Sequence, residues 1–584
     1  GHNLSHMRPI KLTAAATTTL PRYVLVLITA IYGLIGIFGR DPWKTDDAAG
    51  FGAMWTLANG SLQDWLLPHI DGRADILAGP LPYWIGGALI KALSPILGAT
   101  NAAGIYSAAC FFLSCAAIWH ASYLLGRRPE VQPTAFALGG QPEPRDYGRT
   151  LADSALMIFL ACIGLATRAH ETTPALAQLL GVTTLLYGLV RGLDKPIQGG
   201  FWTGIGLAVI ALSASLWLFV IMFAGLLISL AICEVKPNAK WLGMTWLGSV
   251  LGIGLWPALW WLFDLPAPLV KQAWYEWWSN DSIQLIASTK SIGFLARNLP
   301  LYAWPIWPLA LWSIWLWRKG SNYPLGGIRN PNMALPLGLV IAGLIYLTHL
   351  TSLNEQSLLI IIPPMVIWAC FSLPIIKRSV ISFIDWLALL SFTIIGAFIW
   401  VMWFAMTTNF PASLARNVAK KVPGFIHEVN WIALLAAIAA TILWVMVVKW
   451  RTSRAPKVIW RAVVISASGT TLTWVLLMTL WLPTINYAKT YQSVAARLVA
   501  ATPKDANCIN STHLGDGQLG SFVYFTSLKF KDDPKCDLWI SNQPEISRQT
   551  AEKIGINLEL IWEDRRVSDR NERLRLYKVT GNAR

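Results

Sequence analysis

The stretch Lys44–Gly52, KTDDAAGFG, follows an apolar run at residues 21–39. It places two adjacent carboxylates, Asp46 and Asp47, where a membrane helix meets water. Adjacent carboxylates repel each other, so at a low-dielectric boundary they need a cation or a metal beside them. The residues that follow, AAGFGAMWTLANG, read as a weakly polar helix with both acids at its start. A helix dipole stabilises acids there, which is a purely structural role. On these residues alone, both the structural and the chemical reading stand.

The rest of the chain supports the membrane reading. Of 584 residues, 55% are hydrophobic and only 13% charged. So little charge does not cover a soluble surface of this size. The apolar residues come in runs of about 17 to 25, the length that crosses ~30 Å of hydrocarbon. About thirteen spans are expected, at 21–39, 102–125, 150–167, 174–190, 197–212, 214–233, 241–263, 294–317, 333–350, 357–374, 383–406, 429–448 and 459–481. The 32 Trp fit interfacial positions. The fold class expected is an all-α polytopic bundle followed by a small α/β domain.

Charge sets the expected orientation. Arg127, Arg128, Arg191, Lys195, Lys236, Lys240, Arg318, Lys377 and Lys449 fall in loops on one side of this count, with the N-terminal segment. The positive-inside rule makes that side cytoplasmic and the C-terminus outside. The net charge of +16 is thus a topology signal, and no nucleic-acid partner is expected. Residues 1–6 of GHNLSHM read as a cloning scar, with Met7 the native start and the first run a retained span. The membrane region is expected over 7–483, with a large first outer loop, 40–101, holding two helices along the membrane surface. A soluble α/β unit is expected over 484–584. Its Cys508 and Cys536 would meet an oxidising compartment, where a disulfide is open to them.

Three further outward segments carry candidate residues. TRAHETTPALAQL (Thr167–Leu179) holds His170 and Glu171 between two spans, where charge is costly and often functional. An interfacial hinge is the bland alternative. HIDGRADILAGPLPYW (His69–Trp84) holds Arg73 and Asp75 among turn-forming glycines. HLTSLNEQSLLIIIPP (His349–Pro364) holds His349 and Glu355 in a polar turn. The loops 264–293 and 407–428 add Lys271 and Arg416, and Arg297 stands near the start of the following span.

This order resembles the GT-C membrane glycosyltransferases (glycosyltransferase 39/83-like). It runs from T-D-D opening a large first loop, through GPLPYW, a second-loop acid and LYAWPIWPLAL, to a polar turn before IIIPP. The branch it resembles holds the lipid A aminoarabinose transferases and the dolichyl-phosphate-mannose protein mannosyltransferases. The resemblance implies inverting transfer of a sugar from a polyprenyl-phosphate donor to a lipid, glycan or protein acceptor. That reaction would take place at the periplasmic face of a bacterial inner membrane. It makes Asp46, Asp47 and Glu171 the catalytic acids. Arg73, Asp75, His170, Lys271, Arg297, His349, Glu355 and Arg416 become candidates for holding donor phosphate or acceptor. A divalent metal ion on Asp46, His170 and Glu171 is the cofactor option, and a monomer is expected. The chain departs from the aminoarabinose branch, with Leu77-Ala78-Gly79-Pro80 in place of Glu-Lys-Pro-Pro. Leu353 and Ser357 stand in place of Lys and Tyr. A different sugar or acceptor is therefore expected. A flippase for lipid-linked sugars and a non-catalytic envelope-assembly partner are the rival classes.

Overall fold

A computed structural model describes residues 10–73, 79–279, 283–318, 327–453 and 458–582. The scar at 1–6 and Asp75 lie outside the described residues. The chain begins with α1 (Arg22–Leu34), α2 (Asp46–Ala58), α3 (Leu62–Leu66), α4 (Leu81–Leu97) and α5 (Ala99–Gly126). Next come α6 (Pro144–Ala161), α7 (Ile163–Arg168), α8 (Pro174–Arg191), α9 (Pro196–Ser213), α10 (Leu216–Ile232) and α11 (Ala239–Leu262). They are followed by α12 (Ala267–Ser279), α13 (Thr289–Tyr302), α14 (Ile306–Trp317), α15 (Pro331–His349) and α16 (Ile362–Cys370). The last of the bundle are α17 (Arg378–Thr408), α18 (Ala412–Lys421), α19 (Trp431–Thr452), α20 (Arg461–Leu480) and α21 (Leu482–Lys489).

Every expected span coincides with helix. Among the described residues, nine helices are long and apolar enough to cross a membrane. The other four expected spans are broken or shorter: α6–α7, α10, α13–α14, and the turn leading into α16. Local sequence sets the boundaries. Helices α6, α8, α9 and α15 start at proline, which lacks the N–H that a first turn leaves unpaired. The Asn238 and Asn430 side chains accept the first N–H groups of α11 and α19.

Helices α5, α6, α8, α16 and α20 form the buried centre. Helices α11, α17 and α19 lie outside it and expose Trp246, Leu251, Ile394, Phe398, Leu435 and Ile442. Water would penalise those faces, whereas lipid does not. The protein is a membrane protein.

Helix α2 departs from expectation. It is covered by protein on more than one side. Ala48, Phe51, Ala53, Met54 and Leu57 are buried, because α2 is packed between α4 and a helix of the C-terminal unit, α23 (Asp516–Phe525). That unit also holds α22 (Gln492–Ala501) and α24 (Pro544–Ile554). Its strands are β1 (Ile509–His513), β2 (Phe530–Lys531), β3 (Leu538–Ser541), β4 (Ile556–Asp564) and β5 (Leu574–Asn582). The sheet order is β2-β1-β3-β5-β4, with β1 parallel to both neighbours and β5 antiparallel to β3 and β4. Cys508 and Cys536 are joined in a disulfide next to the starts of β1 and β3.

Candidate active site

Between α1 and α2 the chain turns at Gly36 and Gly39, with φ of 94° and 73°. It then presents Arg40, Trp43 and Thr45. Thr45 has φ 69°, a left-handed conformation that a β-branched residue rarely adopts. The acids start α2 immediately after it.

Asp47 is buried and fully engaged. Its Oδ1 accepts the Thr172 N–H at 2.8 Å and the Thr172 hydroxyl at 2.9 Å. Its Oδ2 accepts the Trp43 N–H at 3.1 Å and lies 3.5 Å from the Arg40 guanidinium. Asp47 therefore ties the segment after α1 to the one between α7 and α8. Glu171 continues the network. Its Oε1 accepts from Arg168 at 2.9 Å, and its Oε2 from the Gln356 amide at 3.4 Å. Arg168 also donates to Glu355 at 2.5 and 3.2 Å. Burial pushes the Glu171 carboxyl up to about 7; Arg168 opposes that shift and Asp47 adds to it.

Asp46 has a different setting. It is half-buried, and burial raises its carboxyl above the usual range, with Asp516 and Asp47 adding to the rise. Arg168 and the Gln356 amide oppose it. Asp46 is thus the acid of the pair that is not locked by backbone donors.

Cations surround these acids. Arg40 is buried, and its guanidinium nitrogens have no hydrogen-bond partner among the described residues. It stacks 3.5 Å above the Trp43 ring, a favourable cation–π placement. Lys489 comes from the end of α21 and lies 4.9 Å from the same ring. Burial pushes its ammonium down, as do Arg40, Arg168 and Lys44 nearby. Arg40, Asp41, Asp47, Thr100, His170 and Thr172 line a small open space of about 20 Å³, close to one water.

Several expected site residues are used otherwise. His170 is buried, with Nε2 2.6 Å from the Tyr32 carbonyl and Nδ1 3.2 Å from that of Ala166. Burial pushes it down to about 4, and it stacks on Trp474 at 4.3 Å. A neutral ring facing two carbonyls is not a ligand to a metal held by the acids. Among the described residues, no group of three or more His, Cys, Asp and Glu side chains is set to hold a metal. With Glu171 occupied by Arg168 and Gln356, the expected metal set does not fit.

Arg73 is also a correction. It is buried and donates to the Leu514 carbonyl at 2.7 Å, to Asp516 at 2.9 Å and to the Ser511 carbonyl. It is a strut holding the C-terminal unit to the first loop. Lys271, Arg297 and Arg416 are exposed on α12, α13 and α18 and form no ion pair with the acids. His349 Nδ1 sits 2.7 Å from the Ile345 carbonyl, one turn back in its own helix. The structure brings together Asp46, Asp47, His170, Glu171 and Glu355. It draws in Arg168 and Gln356 from the two segments that the sequence had already marked, and adds Arg40 and Lys489, which sequence reasoning did not select. Arg40 had a visible signal, a charge closing an apolar run six residues before a carboxylate pair.

No protein-family model and no curated protein matches the chain. Solved structures do. ArnT from Cupriavidus metallidurans bound to undecaprenyl phosphate is 12% identical, with a TM-score of 0.63 over 96% of this chain and 98% of that one. The apo state of the same enzyme gives 11% and 0.61, over 95% and 97%. The archaeal oligosaccharyltransferase AglB from Archaeoglobus fulgidus, with an inhibitory peptide and a dolichol-phosphate, is 11% identical. Its TM-score is 0.38 over 83% of this chain and 58% of that one. The likeness to ArnT spans the bundle and the C-terminal unit alike: this chain is a membrane protein with the fold of ArnT, the GT-C fold.

Proposed function

We propose that the protein is an inverting glycosyltransferase that takes its sugar from a polyprenyl-phosphate donor. The observation that carries this reading is Arg40, a buried guanidinium that makes no hydrogen bond among the described residues and is held by ion pairs to Asp47 and Glu171, with Lys489 and Arg168 close by. A buried cation lacking donor-to-acceptor bonds is expensive, and an anionic ligand relieves it. A lipid phosphate brings that anion on an apolar tail, which a membrane bundle accommodates.

In the reaction, an acceptor hydroxyl gives its proton to the Asp46 carboxylate. The freed oxygen attacks the anomeric carbon from the face opposite the phosphate. The carbon–oxygen bond to phosphate breaks, and the bonding pair leaves with the lipid phosphate. Arg40, Arg168 and Lys489 stabilise that developing charge. Asp47 and Glu171 position the cations and the second loop. No step runs through a metal, because the residues offered for one are otherwise engaged.

The site belongs on the periplasmic face of a bacterial inner membrane, with the N-terminus cytoplasmic. The one-sided loop charges and the Cys508–Cys536 disulfide in the C-terminal unit support this orientation. Mass spectrometry of envelope glycans and lipid-linked sugars, with and without the gene, tests the reading. Loss of one glycan species with accumulation of its lipid-linked sugar supports it. Identical profiles overturn it.

A further inference from the structure

The reaction described above leaves the C-terminal unit without a task. A cleft of about 380 Å³ opens where this unit meets the start of α2, within the ~300–1,000 Å³ of small-ligand sites. Its position follows from the sheet. Strand β1 leads through α23 to β2 on one side, and β3 pairs on the other side. The chain therefore diverges at the C-terminal ends of β1 and β3, where open α/β sheets hold ligands. Gly515 follows β1 there and Asn542 follows β3, and both border the cleft.

The turn reads GDGQLG, Gly515–Gly520, a spacing that in dinucleotide-binding folds admits a pyrophosphate. Here the glycines serve docking. A Cβ at Gly517 would lie 2.6 Å from the Thr45 carbonyl oxygen, and one at Gly520 would lie 2.3 Å from that of Ala48. Asp516 also puts a carboxylate where a pyrophosphate would need positive potential.

The cleft wall mixes amides, Asn542 and Asn571, with Lys44, Arg573, Asp569 and Glu572. Donors and acceptors occur together, some paired with one another as Arg566 is with Asp569 and Glu572, and neither sign of charge dominates. No open aromatic or aliphatic platform is offered, since Arg566 lies 5.1 Å over the Tyr491 ring. Hydroxyl groups, each both donor and acceptor, match such a wall. An extended peptide would want a free sheet edge, and the edges are β2 and β4 rather than the β1–β3 gap. The cleft also neighbours the chemistry: Thr45 and Asp516 border it, Asp46 follows Thr45 directly, and the Asp516 charge acts on Asp46.

We propose that this cleft is the acceptor subsite and takes a carbohydrate, holding one of its hydroxyls toward Asp46. The inference rests on the transferase reading. It is tested by Asn542→Trp and Asn571→Trp, two partly or fully exposed positions where bulk fills the cleft. Full-length variants are expressed in source cells lacking their own copy. Glycans are analysed by mass spectrometry with linkage analysis, and the purified proteins are titrated with undecaprenyl phosphate. The expected result is at least tenfold less product, with undecaprenyl-phosphate affinity and melting temperature within error of the parent chain. The added sugar should be linked to another sugar. Parent-level product in both variants overturns the subsite while leaving the transferase standing. A sugar attached to an amino acid or directly to a lipid overturns the carbohydrate assignment. If deleting the gene changes no glycan, the transferase reading falls first and this inference falls with it.

Discussion

Arg40 and Asp46 divide the chemistry at the scale of single residues. Arg40→Gln should weaken undecaprenyl-phosphate binding at least tenfold, because it removes the buried guanidinium whose N–H groups make no hydrogen bond among the described residues. Lys271→Gln and Arg416→Gln should bind as the parent does, since both side chains are exposed and unpaired with the acids. Titration by tryptophan fluorescence or by ligand-induced thermal shift reads both. The pH response follows from the two raised carboxyls. Asp46 must be ionised to accept a proton, so transfer should rise with pH through a point above the usual carboxylate range. Stability runs the other way. The Glu171 carboxyl, about 7 when folded against an ordinary ~4.3, favours the folded state when protonated. Its contribution is therefore lost as pH climbs from about 4 through 7. Glu171→Gln should flatten the melting-temperature profile across that window while lowering activity.

Among the elements, the seam between α2 and α23 is the most exacting. The Gly52 and Gly520 backbones meet so closely that a Cβ at Gly52 would lie 2.4 Å from the Gly520 Cα. Gly520→Val should destabilise by about 1–3 kcal/mol or more through overpacking. Gly293→Ala, in α13 with nothing near its Cβ position, should stabilise by up to ~1 kcal/mol. Thermal unfolding of the purified variants checks the pair. The same seam marks the boundary of what sequence reading reaches. The spans, the acid pair and the polar turn at Glu355 were legible, because hydrophobic period and interrupted charge are local signals. That α2 is buried was not, because its cover is built some 470 residues later in the chain. Arg73 was misread for the same reason: its partners Ser511, Leu514 and Asp516 arrive only with the C-terminal unit. Lys271, Arg297 and Arg416 share one side of the expected topology with the acids, but sidedness carries no information about distance.

On the scale of the whole molecule, the bundle supplies an apolar seat, the segments before α2, between α7 and α8 and before α16 supply the charges, and the C-terminal unit packs on α2. Its disulfide constrains a 28-residue separation, and cross-links of that kind stabilise by about 2–4 kcal/mol. Reductant should lower the melting temperature of the parent chain and leave a Cys508→Ser, Cys536→Ser double variant unchanged. The fold was legible as a class from composition and loop charge, whereas the cationic half of the site was not, since Arg40, Arg168 and Lys489 meet only in three dimensions. The most direct test of the central claim is Asp46→Asn in the full-length chain. Product formation and undecaprenyl-phosphate affinity are measured side by side. The account predicts loss of product by at least a hundredfold with affinity retained; product at the parent level would contradict it.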